Sequence, residues 1–310
     1  MFELQQYRKN FEDPRKSILN QQVTRLVAYN HAKKVEKLLN QGADVDTRLT
    51  NQTTLLMEAA RRGYAKILAI LLDHGASLHA KDTEGNFAIH YAAENGRLKC
   101  LQLLMSKGSL AIVGNLSFKT PLMKAAENGH ADVVTYLIEN GVKITCMLNK
   151  NSESELTLAA NSNKLEVVKI LLNPLYARPY IDRSDELNYV LRLAVEKKNV
   201  ELAELLLEAG ADPNYVNSDD YPCLFTAIDN GDLEMVKSLI SYGAYINLLN
   251  WDDVTPLMAA IETGNVEIVE YITLAGADIT LENSSTISAL GMAIDKGNKR
   301  ILEALKINTV

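Results

Sequence analysis

Five histidines and three cysteines are the side chains of this 310-residue chain best suited to metal or nucleophilic chemistry, and their spacing favours neither. Cys100, Cys146 and Cys223 are odd in number, far apart and without a CxxC pair, which argues against a zinc site and a disulfide framework. A reducing compartment is expected. No two histidines stand four apart, as a helical metal pair requires. His74 and His79 flank a turn, His130 follows Asn128-Gly129, and His90 stands at a helix start, so each reads as structural. The sequence holds no Gly-x-Ser-x-Gly elbow and no phosphate-binding Gly-x4-Gly-Lys loop. Its many carboxylates occupy the solvated positions of a repeating pattern, with no acid–base pair set apart. The expectation is therefore no catalytic residue, no cofactor, no metal and no small-molecule substrate: the chain is read as not an enzyme.

Nearly half the residues are apolar and about a quarter charged, enough for a buried core. The first 22 residues carry seven charges in place of an apolar run, and no later stretch reaches membrane-spanning length. Secretion and membrane insertion are disfavoured and an intracellular site is expected. The net charge of −7 hides a gradient. Residues 1–110 hold 16 Lys/Arg against 11 Asp/Glu, and residues 211–310 hold 5 against 15. Such an acidic end would repel a phosphate backbone, so nucleic acid is an unlikely partner.

The elements that would position any site repeat along the chain. Glycines close Leu/Ile-rich helical patterns at Gly42, Gly75, Gly108 and Gly141, each 33 residues after the last, and again at Gly210, Gly243 and Gly276. The gap of 69 residues between the two series fits one repeat of 33 and one of 36, with Pro174 at the missing glycine. A second mark falls twelve residues earlier in each repeat, at Asn30, Gly63, Gly96, Gly129, Asn163, Lys198, Gly231, Gly264 and Gly297. Each unit reads as a short helix, a turn, a longer helix and a polar hairpin-like finger. Thr120 and Thr255 can N-cap first helices, with Pro121 and Pro256 in their first turns. Residues 1–19 read as an extension with Leu4, Tyr7 and Phe11 on one face, 20–306 as nine units with a three-residue insertion near 174–180, and 307–310 as a tail.

Thr120-Pro121-Leu122-Met123-Lys124-Ala125-Ala126, Asn128-Gly129-His130 and closings such as Gly42-Ala43-Asp44 and Gly276-Ala277-Asp278 closely resemble the ankyrin repeat. His90 alone keeps the histidine of the family's Thr-Pro-Leu-His; Met57, Met123 and Met258 replace it. The resemblance implies an all-α solenoid of helix pairs with β-hairpin-like fingers, degenerate in its fifth and sixth units. It also implies a concave face, lined by finger tips and first helices, on which partners dock.

Mapped onto that face, Trp251 falls at a finger tip, with Tyr221 and Tyr245 on neighbouring fingers and Asp219, Asp220, Asp252 and Asp253 around them. This aromatic and acidic group fits a basic peptide; alternatively the indole packs back between fingers. Arg48, Arg61, Arg62 and Lys81 form a basic group on the second and third units, suited to an acidic segment or phosphate, or else a solvated charge run. The stretch Asn173 to Tyr180 reads as a loop insertion or a bend. Together these residues point to a scaffold or adaptor that binds a protein or peptide partner, alone or as a subunit of a larger assembly; a stoichiometric inhibitor of an enzyme, or the targeting module of a larger effector, is the alternative.

Overall fold

The computed structural model of the chain describes residues 14–144, 148–176, 182–216 and 221–306. These form eighteen α-helices, two short 3-10 turns and no strand among the described residues. Two compact units divide the chain, Met1–Ala177 and Arg178–Val310.

The first unit holds α1 (Pro14–Ala28), α2 (Ala32–Asn40), α3 (Leu55–Arg62), α4 (Ala65–Asp73), α5 (Ala88–Glu94), α6 (Leu98–Ser106), α7 (Pro121–Asn128), α8 (Ala131–Glu139), α9 (Glu155–Asn161) and α10 (Leu165–Leu172). Odd-numbered helices pack on one another in succession and even-numbered ones do the same, so the unit is a two-layer stack. The second unit repeats this with α11 (Ser184–Glu196), α12 (Val200–Glu208), α13 (Cys223–Asp229), α14 (Leu233–Ser241), α15 (Pro256–Thr263), α16 (Val266–Leu274), α17 (Ala289–Lys296) and α18 (Lys299–Lys306). Each unit is an all-α solenoid.

Small buried residues explain the close stacking of first helices: Ala59, Ala60, Ala92, Ala93, Ala125 and Ala126 are fully enclosed. The branched side chains Ile67, Leu68 and Leu71 of α4, and Val133, Val134 and Leu137 of α8, fill the layer behind. Burying each Leu or Val side chain contributes about 1.5–3 kcal/mol.

The helix starts use the expected Thr120 and Thr255, and Thr54 caps in the same way. Thr54, Thr120 and Thr255 each accept the N–H three residues on, at 3.2 Å. The methionines that replace histidine return the favour, since Met57 Sδ accepts the Thr54 N–H at 3.3 Å and Met258 Sδ the Thr255 N–H at 3.5 Å. In α5 Phe87 has no hydroxyl, and His90 Nδ1 takes the Phe87 N–H at 3.2 Å. The turn after each first helix is left-handed even without glycine: φ is 59° at Asn30, 53° at Asn163 and 55° at Lys198.

Three successive pairs of fingers in the first unit are linked by one backbone bond each. The Thr83 N–H donates to Asn51 O at 3.0 Å, the Leu116 N–H to Glu84 O at 2.9 Å, and the Lys150 N–H to Ser117 O at 3.1 Å. Single antiparallel bridges close three fingers, at Arg48/Thr54, Val216/Pro222 and Glu282/Ser288.

Four details differ from the sequence reading. Asp185 and Glu186, which the spacing of the repeat alone puts at a finger tip, lie in the first turn of α11. Asp182 Oδ1 accepts the Ser184 N–H at 2.8 Å, and acidic residues in a first turn favour helix over loop. Helix α1 begins at Pro14, upstream of the boundary expected at residue 20. At the irregular stretch, Asn173 ends α10 in extended backbone (φ −61°, ψ 121°), as a residue preceding proline must, and Pro174–Tyr176 form a 3-10 turn. Arg178, Pro179 and Tyr180, like Leu4, Tyr7, Phe11 and Cys146, lie outside the described residues. Finally, the finger from Gly108 to Thr120 is apolar instead of polar, and it exposes Leu110, Ile112, Leu116 and Phe118.

Candidate interaction surface

In the second unit, the finger between α14 and α15 presents Trp251, 62% exposed, and Tyr245, also 62% exposed, which lies on this same finger and not on a neighbouring one as the sequence reading has it. The indole stands out in solvent. Leu248 and Leu249 of the same finger are exposed too, which enlarges the apolar face beyond the residues singled out from sequence. Two isolated leucines in a loop read as ordinary; their exposure depends on how the finger turns.

The acidic neighbours divide by role. Asp252 is exposed. Asp253 occupies the left-handed tip position (φ 60°), and its carboxylate accepts both the N–H and the hydroxyl of Ser284 on the next finger. Those hydrogen bonds hold its pKa below the ordinary carboxylate value, so it stays ionised while tying the tips together. Tyr221 is half-buried; its ring lies 5.7 Å from that of Phe225, and its hydroxyl donates to Asp229 Oδ2 at 2.5 Å. Burial, then the Asp229 carboxylate, raises the phenol's pKa well above its usual value. Asp219 and Asp220 lie outside the described residues.

In the first unit the basic group is engaged internally. Arg48 Nη1 donates to Gln52 O at 2.7 Å and to Lys81 O at 2.8 Å, joining its own finger to the next. Arg61 Nη2 meets Glu58 Oε2 at 2.6 Å, and Arg62 Nε donates to the other oxygen of the same carboxylate. Lys81 holds its ammonium 5.2 Å from the centre of the Phe87 ring. Arg61 remains half exposed on the wall of a cleft of about 430 Å³ that Leu49, Met57, Glu58 and Tyr91 also line. Within it, the Tyr91 hydroxyl donates to Asp82 Oδ2 at 2.6 Å.

The reactive side chains sit in unreactive places. Burial pushes the thiols of Cys100 and Cys223 up to about 11, far from a nucleophilic thiolate at neutral pH. His90 is enclosed, and burial lowers its pKa to about 4. His130 Nε2 lies 2.9 Å from Glu94 O on the preceding repeat. Among the described residues no three His, Cys, Asp or Glu side chains are grouped to hold a metal ion. None of the described helices is long and apolar enough to cross a membrane.

Stacked helix pairs whose fingers are joined tip to tip define a helical-repeat protein. The sequence model of ankyrin repeats matches the chain in three stretches, residues 24–115, 110–183 and 191–283, and the chain belongs to the ankyrin repeat family. No curated protein matches it. Ankyrin repeats are generally protein–protein interaction modules.

Proposed function

We propose that the chain is a non-catalytic scaffold or adaptor inside the cell, an array of nine units over residues 20–306 that holds a protein partner on its finger and first-helix face. The observation that carries this reading is Trp251, a lone tryptophan 62% exposed at a finger tip. A large aromatic that leaves most of its surface in solvent is the type of residue on which binding energy concentrates. With Tyr245 beside it and Asp252 and Asp253 following it, it suits a partner segment that presents Lys or Arg. Tyr221, Asp219 and Asp220 belong to the same proposed surface. On the first unit, Arg61 leads a secondary contact that includes Arg48, Arg62 and Lys81, since half its surface stays open beside its ion pair.

The test is capture of partners by the wild-type chain and by Trp251→Ala side by side, with the unfolding midpoint of each measured. The expected result is a partner lost by the variant, at a cost of about 2 kcal/mol or more in affinity, with the midpoint unchanged. A lowered midpoint with partners retained would assign the indole to packing and overturn this reading.

A further inference from the structure

The helix pairs keep one register, counted from the left-handed turn that joins their two helices, and the first and last pairs depart from it in different ways. In the second unit the residues three and seven before the turn and five after it are apolar and buried: Ile228 and Ile261, Leu224 and Leu257, Val236 and Val269. The last pair keeps the same chemistry with Ile294, Leu290 and Leu302. Yet Ile294 is 59% exposed, and both leucines are partly exposed. Ile261 is covered because α17 packs on α15. Among the described residues no helix pair packs on α17 in that way, so these three positions are a stacking face left open.

The opening pair treats the opposite face differently. Four residues after the turn Ile67 and Cys100 are buried, and eight before it Leu55 and Ala88 are; the first pair has Lys34 and Gln22 in those places, both exposed. Such polar replacements suit a terminal repeat whose face meets water. The last pair makes none at Leu290, Ile294 or Leu302. Six residues before the turn, where Phe225 and Met258 are buried, it has Gly291, and a Cβ there would meet only Ser288 Oγ, at 3.5 Å. Crowding does not require that glycine. Its missing side chain leaves a hollow one helical turn from Ile294.

Two surfaces of a second copy could cover this face: the opening pair, in a chain that grows head to tail, or the same face again. The first would seat the Lys34 ammonium and the Gln22 amide against Leu290, Ile294 and Leu302, and burying them without partners is costly. The second buries apolar against apolar. Around it α17 and α18 carry exposed Asp295 and Glu303 together with exposed Lys299 and Arg300, so the rim holds both signs and can pair with its own copy.

We propose that the chain forms a closed dimer, in which the open face of the last helix pair packs on the same face of a second copy about a twofold axis. Leu290, Ile294 and Leu302 form its centre. Because the face is its own complement, assembly stops at two.

The test is sedimentation velocity on the full chain at rising concentration. Wild type is expected to pass from monomer to dimer and no further. Ile294→Arg changes a side chain already in solvent and should weaken the dimer at least about tenfold, as loss of a central apolar anchor does, with the circular dichroism spectrum unchanged. Lys34→Glu and Trp251→Ala should leave the dimer as it is, which separates this face from the opening pair and from the Trp251 finger. The proposal is overturned by a wild type that stays monomeric at every concentration, by growth into species larger than a dimer, by a dimer that Ile294→Arg leaves unchanged, or by one that Lys34→Glu or Trp251→Ala weakens.

Discussion

The two units begin alike and then diverge in chemistry. Helix α1 has 15 residues and α11 has 13, while the other helices of the described residues have seven to nine. Neither long helix is preceded by a described finger. In mid-stack, a finger residue of the preceding repeat accepts a backbone N–H of the next: Asp46 from Ser77 at 3.0 Å, Asn214 from Tyr245 at 2.7 Å, Asn247 from Asp278 at 2.9 Å. At the two starts the unit's own first helix supplies the acceptor. Asn20 Oδ1 takes the Asp44 N–H and Asn188 Oδ1 the Asp212 N–H, both at 2.8 Å. The lesson is that the same backbone N–H finds its acceptor on a finger in mid-stack and on an amide of a long helix at each of these two places.

The chemistry separates more sharply. All five histidines lie in the first unit and the only tryptophan in the second. Acid should accordingly act on one unit more than on the other. His90 takes its proton at about pH 4 when folded and at about 6.5 in the unfolded chain. Above pH 6.5 both states are neutral and stability is complete. Between 6.5 and 4 only the unfolded chain binds the proton, so the first unit loses up to about 3 kcal/mol across that window. His90→Met places there the residue found at Met57, Met123 and Met258, whose sulfur can accept the same N–H. Chemical denaturation at pH 7 and pH 4.5 should show a large drop for wild type and a small one for the variant. An unchanged drop in His90→Met would place the acid sensitivity elsewhere and dissolve this contrast.

Why the repeat was legible and parts of the surface were not has a physical basis. Caps and left-handed stops act within a few residues, so Thr54, Thr120, Thr255 and the Asn-Gly pairs announce themselves in the letters. The left-handed turns at Asn30, Asn163 and Lys198 follow from their place in the period alone. What sequence could not supply was how each charge is used. Arg48, Arg61 and Arg62 look alike as letters, yet one bonds two carbonyls and two share Glu58, because that depends on finger and helix geometry. The finger that carries Phe118 does leave a signal in the letters, four large apolar residues in a segment that the period makes a polar loop. Asp185 and Glu186 are ambiguous as letters, because acidic residues suit a tip and a helix start equally.

The matched amides at the two starts allow a mid-sized test. Asn188→Ala should cost about 1–2 kcal/mol, because it strands a backbone N–H that Asn188 now satisfies from a largely buried site. Asn20→Ala should cost the same or somewhat less, its side chain being less buried than that of Asn188. Amide hydrogen exchange gives the local readout: Asp212 should exchange faster in Asn188→Ala, and Asp44 in Asn20→Ala. Faster exchange spread evenly over both units in either variant would show that the two starts are not separate devices.

The smallest expected effect concerns Glu58, the carboxylate that occupies two of the first unit's arginines. Its side chain is mostly enclosed at 13% exposure, but its partners Arg61 and Arg62 are 50% and 40% exposed. Glu58→Gln keeps the volume and some hydrogen bonding, and the arginines it releases can turn to water without being stranded. Stability should therefore fall by less than about 1 kcal/mol. Meanwhile the positive field beside the cleft rises by one charge, so binding of a polyglutamate probe, followed by anisotropy at low salt, should strengthen and then fade as salt screens it. A stability loss several times larger would make Glu58 a structural clamp between helix and cleft, and the basic group would then be a consequence of packing.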